Sequence, residues 1–363
     1  MAIFVARMRV RHIIVLLGAA ALLYLFAWQT GHDFGAFAVA PARPLPRALA
    51  ADTRLDGLRR TTTLPEGPED IALDARGDLY TGTADGHLYV LERGSDRWRA
   101  ITLTYGRPLG LAFGPDDRWL YVADAERGLM RTDKQGHLER IVDTTADGRD
   151  LGLVDDLAVG PDGAVYFTSA SDNWPLDAYE GAVLAHDRTG RLFRYRPRER
   201  TLELLADSLA FANGVALAPG GDAVYVAQTT DYSVLRYPIT ADGTVGPAER
   251  FAEGLPGFPD GLTFGPRGRL WVALADERDA RLDALAAHPL LREAIYKLPE
   301  GFGPRPRYRA SVIALDTDGR IVDRLGTSGA EDAYRGITNA VWRGDTLWVG
   351  SLVERSVAYW VKM

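Results

Sequence analysis

The chain has 363 residues, of which 47% are hydrophobic and 25% are charged, a balance typical of a folded globular protein. Its net charge of −7 argues against a nucleic-acid partner, because a surface that binds phosphates needs a basic face. There is no cysteine, which excludes disulfides and thiol catalysis but leaves the cellular compartment open.

An uncharged apolar run over 12–28 follows a basic N-terminus. The basic residues before it are Arg7, Arg9 and Arg11. As a helix, the run would span roughly 25 Å, just enough to cross a hydrocarbon core. We predict a short cytoplasmic tail over 1–11 and a single transmembrane anchor over 12–28, with the rest of the chain on the periplasmic or extracellular side. The alternative is a signal peptide cleaved after Ala38-Val39-Ala40.

The next stretch, over 29–60, is rich in proline, alanine and arginine. It contains the run Pro41-Ala42-Arg43-Pro44-Leu45-Pro46-Arg47. Prolines at this spacing keep a chain extended and semi-rigid. We interpret the stretch as a tether.

Six similar units follow over 61–363. Each has a short apolar strand, a tight turn, a second apolar strand with an aromatic residue near its start, and a third strand. The turns, such as Gly160-Pro161-Asp162-Gly163, have the composition of hairpin turns. Units of about 40 to 50 residues are typical of propeller blades. The sequence therefore predicts an all-β fold, a six-bladed β-propeller.

One long insertion interrupts the fifth unit over 276–309. Apolar residues recur in its first part at intervals of three and four, and Pro289 interrupts them. This spacing predicts a helical insertion with a kink or a restart. A lid over the propeller and a membrane-docking element are the two uses we consider.

Oxygen-bearing side chains recur where the first strand of each unit begins. Aligned on that strand, the six positions are Glu69, Leu109, Asp155, Asn213, Asp260 and Asn339, and all but Leu109 carry a side-chain oxygen. The innermost strands of a propeller surround its axis, so these residues are expected to meet at one channel mouth. Carboxylate and amide oxygens suit calcium, whereas zinc is disfavoured because the chain has no cysteine and none of these six positions is a histidine. The alternative is that aspartate and asparagine serve here only as turn formers.

Several ordered motifs resemble the strictosidine synthase-like family. They are Gly67-Pro68-Glu69-Asp70-Ile71-Ala72, Gly106-Arg107-Pro108-Leu109-Gly110-Leu111, Ala212-Asn213-Gly214-Val215-Ala216-Leu217 and Leu255-Pro256-Gly257-Phe258-Pro259-Asp260-Gly261-Leu262. The likeness covers nearly all of 60–363. The wider superfamily includes gluconolactonases, regucalcins and paraoxonases, and the resemblance implies calcium-dependent hydrolysis of lactones and esters.

The resemblance also implies roles for individual residues. Glu69, Asn213 and Asp260 match calcium ligands of those enzymes, and Asp155 falls where they usually have asparagine. Leu109 takes the place of a histidine that paraoxonases are thought to use in catalysis. Asn339 is the nearest match to the catalytic glutamate of strictosidine synthase, so condensation of an amine with an aldehyde is not expected.

We therefore predict a membrane-anchored, calcium-dependent hydrolase of lactones or aryl esters. Glu69, Asp155, Asn213 and Asp260 are the predicted ligands of Ca²⁺. Asp260 or Asp155 is the predicted general base, and Leu109 and Asn339 are predicted to line the substrate pocket. The predicted partners are a small lactone or ester and, through the N-terminal helix, the membrane. The alternative is a non-enzymatic propeller that binds a protein or a small ligand and carries a structural calcium.

Overall fold

The computed structural model describes residues 15–16, 18–20, 23–26, 30–299 and 306–362. Its strands form six four-stranded antiparallel sheets. The innermost strand of each sheet contacts the innermost strands of its two neighbours, and the sixth sheet returns to the first. This arrangement confirms the predicted all-β, six-bladed propeller.

The strands follow the repeat found in the sequence. In chain order they are β1 (Arg59–Arg60), β2 (Ile71–Leu73), β3 (Leu79–Gly82), β4 (His87–Leu91), β5 (Arg99–Leu103), β6 (Pro108–Phe113), β7 (Trp119–Asp124), β8 (Gly128–Asp133), β9 (Leu138–Val142), β10 (Val154–Val159), β11 (Val165–Ser169), β12 (Gly190–Arg196), β13 (Thr201–Leu209), β14 (Ala212–Leu217), β15 (Ala223–Gln228), β16 (Ser233–Pro238), β17 (Glu249–Ala252), β18 (Gly257–Phe264), β19 (Leu270–Glu277), β20 (Ser311–Leu315), β21 (Ile321–Gly326), β22 (Ile337–Arg343), β23 (Thr346–Ser351) and β24 (Ala358–Val361). Blades one to five are built from consecutive strands, beginning with β2–β5.

The sixth blade joins the two ends of the propeller. Its inner three strands are β22, β23 and β24, and the N-terminal strand β1 forms its outer edge by antiparallel pairing with β24. The register places Arg59 opposite Tyr359 and Arg60 opposite Ala358. The ring is thus closed by hydrogen bonds between residues almost 300 positions apart, and it begins two residues before the predicted boundary at 61.

Apolar side chains fill the space between neighbouring blades. Phe167 and Phe193 of the third blade are fully buried, with ring centroids 5.2 Å apart, and they belong to one cluster with Tyr121 and Leu129 of the second blade. Val122 and Leu88 are likewise fully buried between the first and second blades. Truncating a buried phenylalanine to alanine typically costs about 3–5 kcal/mol, so these contacts hold the blades at fixed spacing.

A β-bulge marks the start of most innermost strands. The register of β10 against β11 shifts between Val154 and Leu157, so that Asp155 and Asp156 together oppose one residue of the neighbouring strand. Similar shifts occur at the starts of β6, β14, β18 and β22. A bulge bends the strand and turns its extra residue out of the regular alternation. This turning brings the side chains at the strand starts toward the channel.

Beyond residue 30, most of the described helices lie on the face where the innermost strands begin or in the segment before β1, whereas Pro266–Gly268 lies in the turn between β18 and β19. The α-helices are α1 (Arg47–Ala50), α2 (Tyr179–Ala185), α3 (Ala280–Ala284) and α4 (Pro289–Tyr296), and the 3₁₀ helices are Arg54–Gly57, Leu176–Ala178 and Pro266–Gly268. α3 and α4 lie between the second and third strands of the fifth blade. α2 lies at the same place in the third blade and packs against α4.

Residues 30–58, within the predicted tether, contact the propeller. Phe37 stacks on His186 with ring centroids 3.6 Å apart, and its backbone N–H donates to the carbonyl of Ala286. Farther along, the Arg43 guanidinium donates to the carbonyl of Gly319 at 2.8 Å. These contacts place the segment against the third and fifth blades.

The predicted membrane topology needs correction. Much of the predicted tail and anchor, including residues 1–14, lies outside the described residues. Within the residues that are described, no helix is both long enough and apolar enough to cross a membrane. This finding overturns the prediction of a single-pass membrane protein with its propeller outside the cytoplasm.

Candidate active site in the central channel

A cavity of about 340 Å³ opens where the innermost strands begin. Its floor is formed by five of the six predicted positions: Glu69, Leu109, Asp155, Asn213 and Asp260. Its walls come from α2, from the start and end of the fifth-blade insertion, and from loops between blades. The propeller fold therefore brings together residues that are up to 191 positions apart in the sequence.

Asn339, the sixth predicted position, does not line the main cavity. Asn339 lines a smaller cavity beneath the floor, together with Asp70 and Asp156. Its side-chain Oδ1 accepts from the next backbone N–H, that of Ala340, as Asp70 does from Ile71 and Asp156 from Leu157. Thr338 therefore occupies the position equivalent to Glu69. The bulge at the start of β22 has the same form as those of β10 and β14, so the predicted alignment of this strand was wrong by one residue.

Asp70 and Asp156 hold neighbouring blades together. Oδ2 of Asp70 accepts from the N–H of Leu111 in the second blade at 2.5 Å, and Oδ2 of Asp156 accepts from the N–H of Val215 in the fourth blade at 2.8 Å. Asn339 in turn donates from Nδ2 to Asp70. These hydrogen bonds form a second layer below the floor and fix the spacing of the floor residues.

Arg107 is a site residue that the sequence analysis did not select. Its Nη2 donates to Oε2 of Glu69 at 2.9 Å, and its Nη1 donates to the carbonyl of Gly67 at 2.9 Å. The side chain is only 6% exposed. The motif around Leu109 contained the only available signal, an arginine two residues before a floor position.

Burial and mutual repulsion govern the charge of the floor. Burial raises the pKa of Asp155 well above its ordinary value, and the charges of Glu69 and Asp156 raise it further. Asp260 is partly accessible from the cavity, yet it lies deep in the protein, and burial followed by the charges of Glu69 and Asp155 raises its pKa well above the usual range. Burial also raises the pKa of Glu69, although the Arg107 guanidinium opposes that shift.

The donor set of the floor fits calcium. Glu69, Asp155 and Asp260 offer carboxylate oxygens and Asn213 an amide oxygen, which are the ligand types that Ca²⁺ accepts. The same four residues also line the smaller cavity, whose volume of about 10 Å³ is room for roughly one water molecule or ion. As the described side chains stand, no three Asp, Glu or His residues form a complete metal cluster. Calcium would therefore require these oxygens to move closer together.

The raised pKa values predict a pH-dependent stability. Burial raises the pKa of Asp70 to about 7, and Asp155 and Asp260 shift in the same direction. Between about pH 4 and pH 7 these three groups then bind more protons in the folded chain than in the unfolded chain, so their contribution to the free energy of unfolding falls as the pH rises. We expect the melting temperature in chelator to fall across this range and calcium to reduce the fall. Parallel melting curves with and without calcium would contradict this expectation.

The upper cavity is lined by both apolar and charged side chains. Its apolar walls include Leu153, Val183, Phe211, Phe258, Leu282 and Leu285. Its charged residues include Glu180, Asp276, Glu277, Arg278, Arg281 and Arg307. Gly181 lets α2 approach Trp174, because a Cβ at that position would lie 2.0 Å from the indole ring. The sequence analysis overlooked α2, which is too short to show a helical period.

Comparison with known proteins agrees with the fold and the motifs. Residues 108–284 match the family model described as SMP-30/Gluconolactonase/LRE-like region, and residues 48–91 match the model for Strictosidine synthase-like, N-terminal. Among solved structures, a gluconolactonase from Xanthomonas campestris superposes with a TM-score of 0.61 at 20% identity, covering 92% of this chain and 98% of that one. A calcium-binding protein, regucalcin, from Agrobacterium tumefaciens superposes with a TM-score of 0.59 at 18% identity, covering 83% and 92%.

Curated relatives match over most of their length. Protein strictosidine synthase-like 2 from Arabidopsis thaliana is 32% identical over 322 residues, covering 80% of this chain and 85% of that protein. The adipocyte plasma membrane-associated protein of Mus musculus is 34% identical over 304 residues, covering 74% and 72%. With these relatives, the matched family models and the propeller fold, the chain belongs to the strictosidine synthase-like family.

Proposed function

We propose that the chain is a calcium-dependent hydrolase of lactones or aryl esters that acts in the central cavity. The observation that carries the proposal is the floor itself, where three carboxylates and one amide meet beneath an apolar cavity of about 340 Å³. A cavity of this size, with a few convergent polar groups, is typical of a site for a small molecule. The names of the structural neighbours, a gluconolactonase and a calcium-binding regucalcin, support the same chemistry.

The floor residues have two proposed roles, which are to bind the ion and to transfer a proton. Glu69, Asn213 and the two aspartates are the proposed ligands. Calcium bound by these donors supplies positive charge that polarises an ester carbonyl. Leu109 forms an apolar part of the floor and leaves the second blade without a base.

Asp260 is the proposed general base. It is more accessible from the cavity than Asp155, which is buried. The carboxylate would take a proton from water as the water oxygen bonds to the carbonyl carbon. The same proton would then pass to the leaving oxygen as the ester C–O bond breaks.

A chelation experiment tests the proposal. The full chain would be assayed against a panel of lactones and phenyl esters as purified, after chelation, and after calcium is restored. We expect hydrolysis that disappears with the chelator and returns with calcium. A chain with no activity in any state, but with a melting temperature that rises on adding calcium, would instead be a binding propeller with a structural ion.

A further inference from the structure

The guanidinium of Arg107 is held in place from several directions. Its two terminal nitrogens bond Glu69 and the Gly67 carbonyl, and the backbone N–H of Arg107 donates to Oδ1 of Asp124 at 3.0 Å. Gly67 adopts a φ of +71°, and a Cβ there would lie 2.6 Å from Nη2. The absence of a side chain at residue 67 therefore leaves room for the arginine.

This contact occupies one oxygen of Glu69. Because Oε2 accepts from Nη2 at 2.9 Å, Oε1 is the oxygen left for another partner on the floor. The guanidinium is also close enough to Asp155 to oppose the rise of its pKa. Arg107 thus acts on at least two of the three carboxylates that face the cavity.

Arg107 offsets part of the negative charge of the floor. Glu69, Asp155 and Asp260 contribute three negative charges when ionised, and Arg107 contributes one positive charge. In the layer below, Asp70 and Asp156 accept hydrogen bonds from backbone N–H groups with both of their oxygens, and they add further negative charge when ionised. A cation at the floor therefore meets one unit less of negative charge because Arg107 is present.

We propose that Arg107 is a positioning residue that offsets one negative charge of the floor and so favours divalent over trivalent cations. The inference rests on the proposed calcium site and adds a determinant of its selectivity. Removing one positive charge a few ångströms away stabilises every cation, but it stabilises a trivalent ion more than a divalent one. The loss of Arg107 should therefore shift the ratio of the two affinities.

Two substitutions separate the charge of Arg107 from its hydrogen bonds. Arg107→Gln removes the charge but keeps an N–H donor, whereas Arg107→Lys keeps the charge. Binding of Ca²⁺ and La³⁺ would be measured by calorimetry on the full chain at a pH above 7. We expect Arg107→Gln to raise the preference for La³⁺ over Ca²⁺ by about tenfold or more and Arg107→Lys to leave it close to the wild-type value.

A double substitution supplies the decisive control. Glu69→Gln combined with Arg107→Gln removes one charge of each sign, so the preference should return toward the wild-type value. Arg194→Met is a matched control, since Arg194 is buried and paired with Glu203 away from the cavity. Its preference should be unchanged.

The outcomes distinguish this inference from the proposed function. If the wild-type chain binds no calcium, the calcium site itself fails. If it binds calcium but Arg107→Gln has the wild-type preference, the role of Arg107 is refuted while the site stands. If Arg107→Gln does not fold, the double variant and Arg107→Lys provide the test. A preference for La³⁺ over Ca²⁺ that differs from the wild-type value in both of these variants would also refute the inference.

Discussion

Replacing Asp260 by asparagine is expected to lower kcat/KM for a lactone or aryl ester by about 10²- to 10⁴-fold, the usual contribution of a general base. The amide keeps the size of the side chain and one oxygen, but it cannot accept a proton at neutral pH. Steady-state kinetics with the calcium-loaded chain would measure the loss. The melting temperature should change little, because Asp260 is partly exposed to the cavity rather than packed in the core.

Two further variants make this result interpretable. Asp162→Asn removes an exposed carboxylate in the turn between β10 and β11, and activity should be unchanged. Asp155→Asn tests the other candidate base. If Asp155→Asn abolishes turnover and Asp260→Asn does not, the proposed roles of the two aspartates are reversed. If neither affects turnover, no floor aspartate is the base.

Replacing Gly214 by alanine is expected to destabilise the propeller by about 3 kcal/mol. A Cβ at this position would lie 2.2 Å from the carbonyl oxygen of Asp260 and 2.7 Å from the Cα of Gly261. The innermost strands of the fourth and fifth blades would have to separate beside the floor. Chemical denaturation would measure the loss, and calcium affinity should fall with it because Asn213 and Asp260 would move apart.

Gly57→Ala provides the comparison for Gly214→Ala. Nothing lies within 4 Å of a Cβ built at Gly57, and its φ is not in the left-handed region. The stability of this variant should stay within about 0.5 kcal/mol of the wild-type value. Equal stability of the two variants would show that neighbouring inner strands tolerate a methyl group. The close approach at Gly214 would then contribute nothing to the free energy of unfolding.

The repeat made the fold predictable from sequence. Each copy carries its own strand pattern and turn residues, so local signals agreed six times over. The same repeat located Glu69, Leu109, Asp155, Asn213 and Asp260, all of which line the cavity floor. The N-terminal anchor, by contrast, was predicted from composition alone. The predicted membrane topology was wrong, because no described helix is long and apolar enough to cross a membrane.

Other features of the site depend on residues that are distant in sequence. The strand register shows that Thr338, and not Asn339, corresponds to Asp155 and Asn213, and that Asn339 lies below the floor. The pairing of β1 with β24 was also beyond local signals, because a two-residue edge strand has no detectable period. Nor could sequence spacing reveal that α2 and α4 meet above the cavity.

The number of blades and the residue types around the axis could be predicted, since both follow from a pattern that every copy of the repeat contains. Which of those residues share a surface, and how their charges affect one another, depends on how the blades pack. Arg107 illustrates the difference. Its side chain reaches Glu69 across the boundary between the first two blades. The electrostatics of the floor therefore arise from the packing of whole blades against one another, which no single copy of the repeat contains.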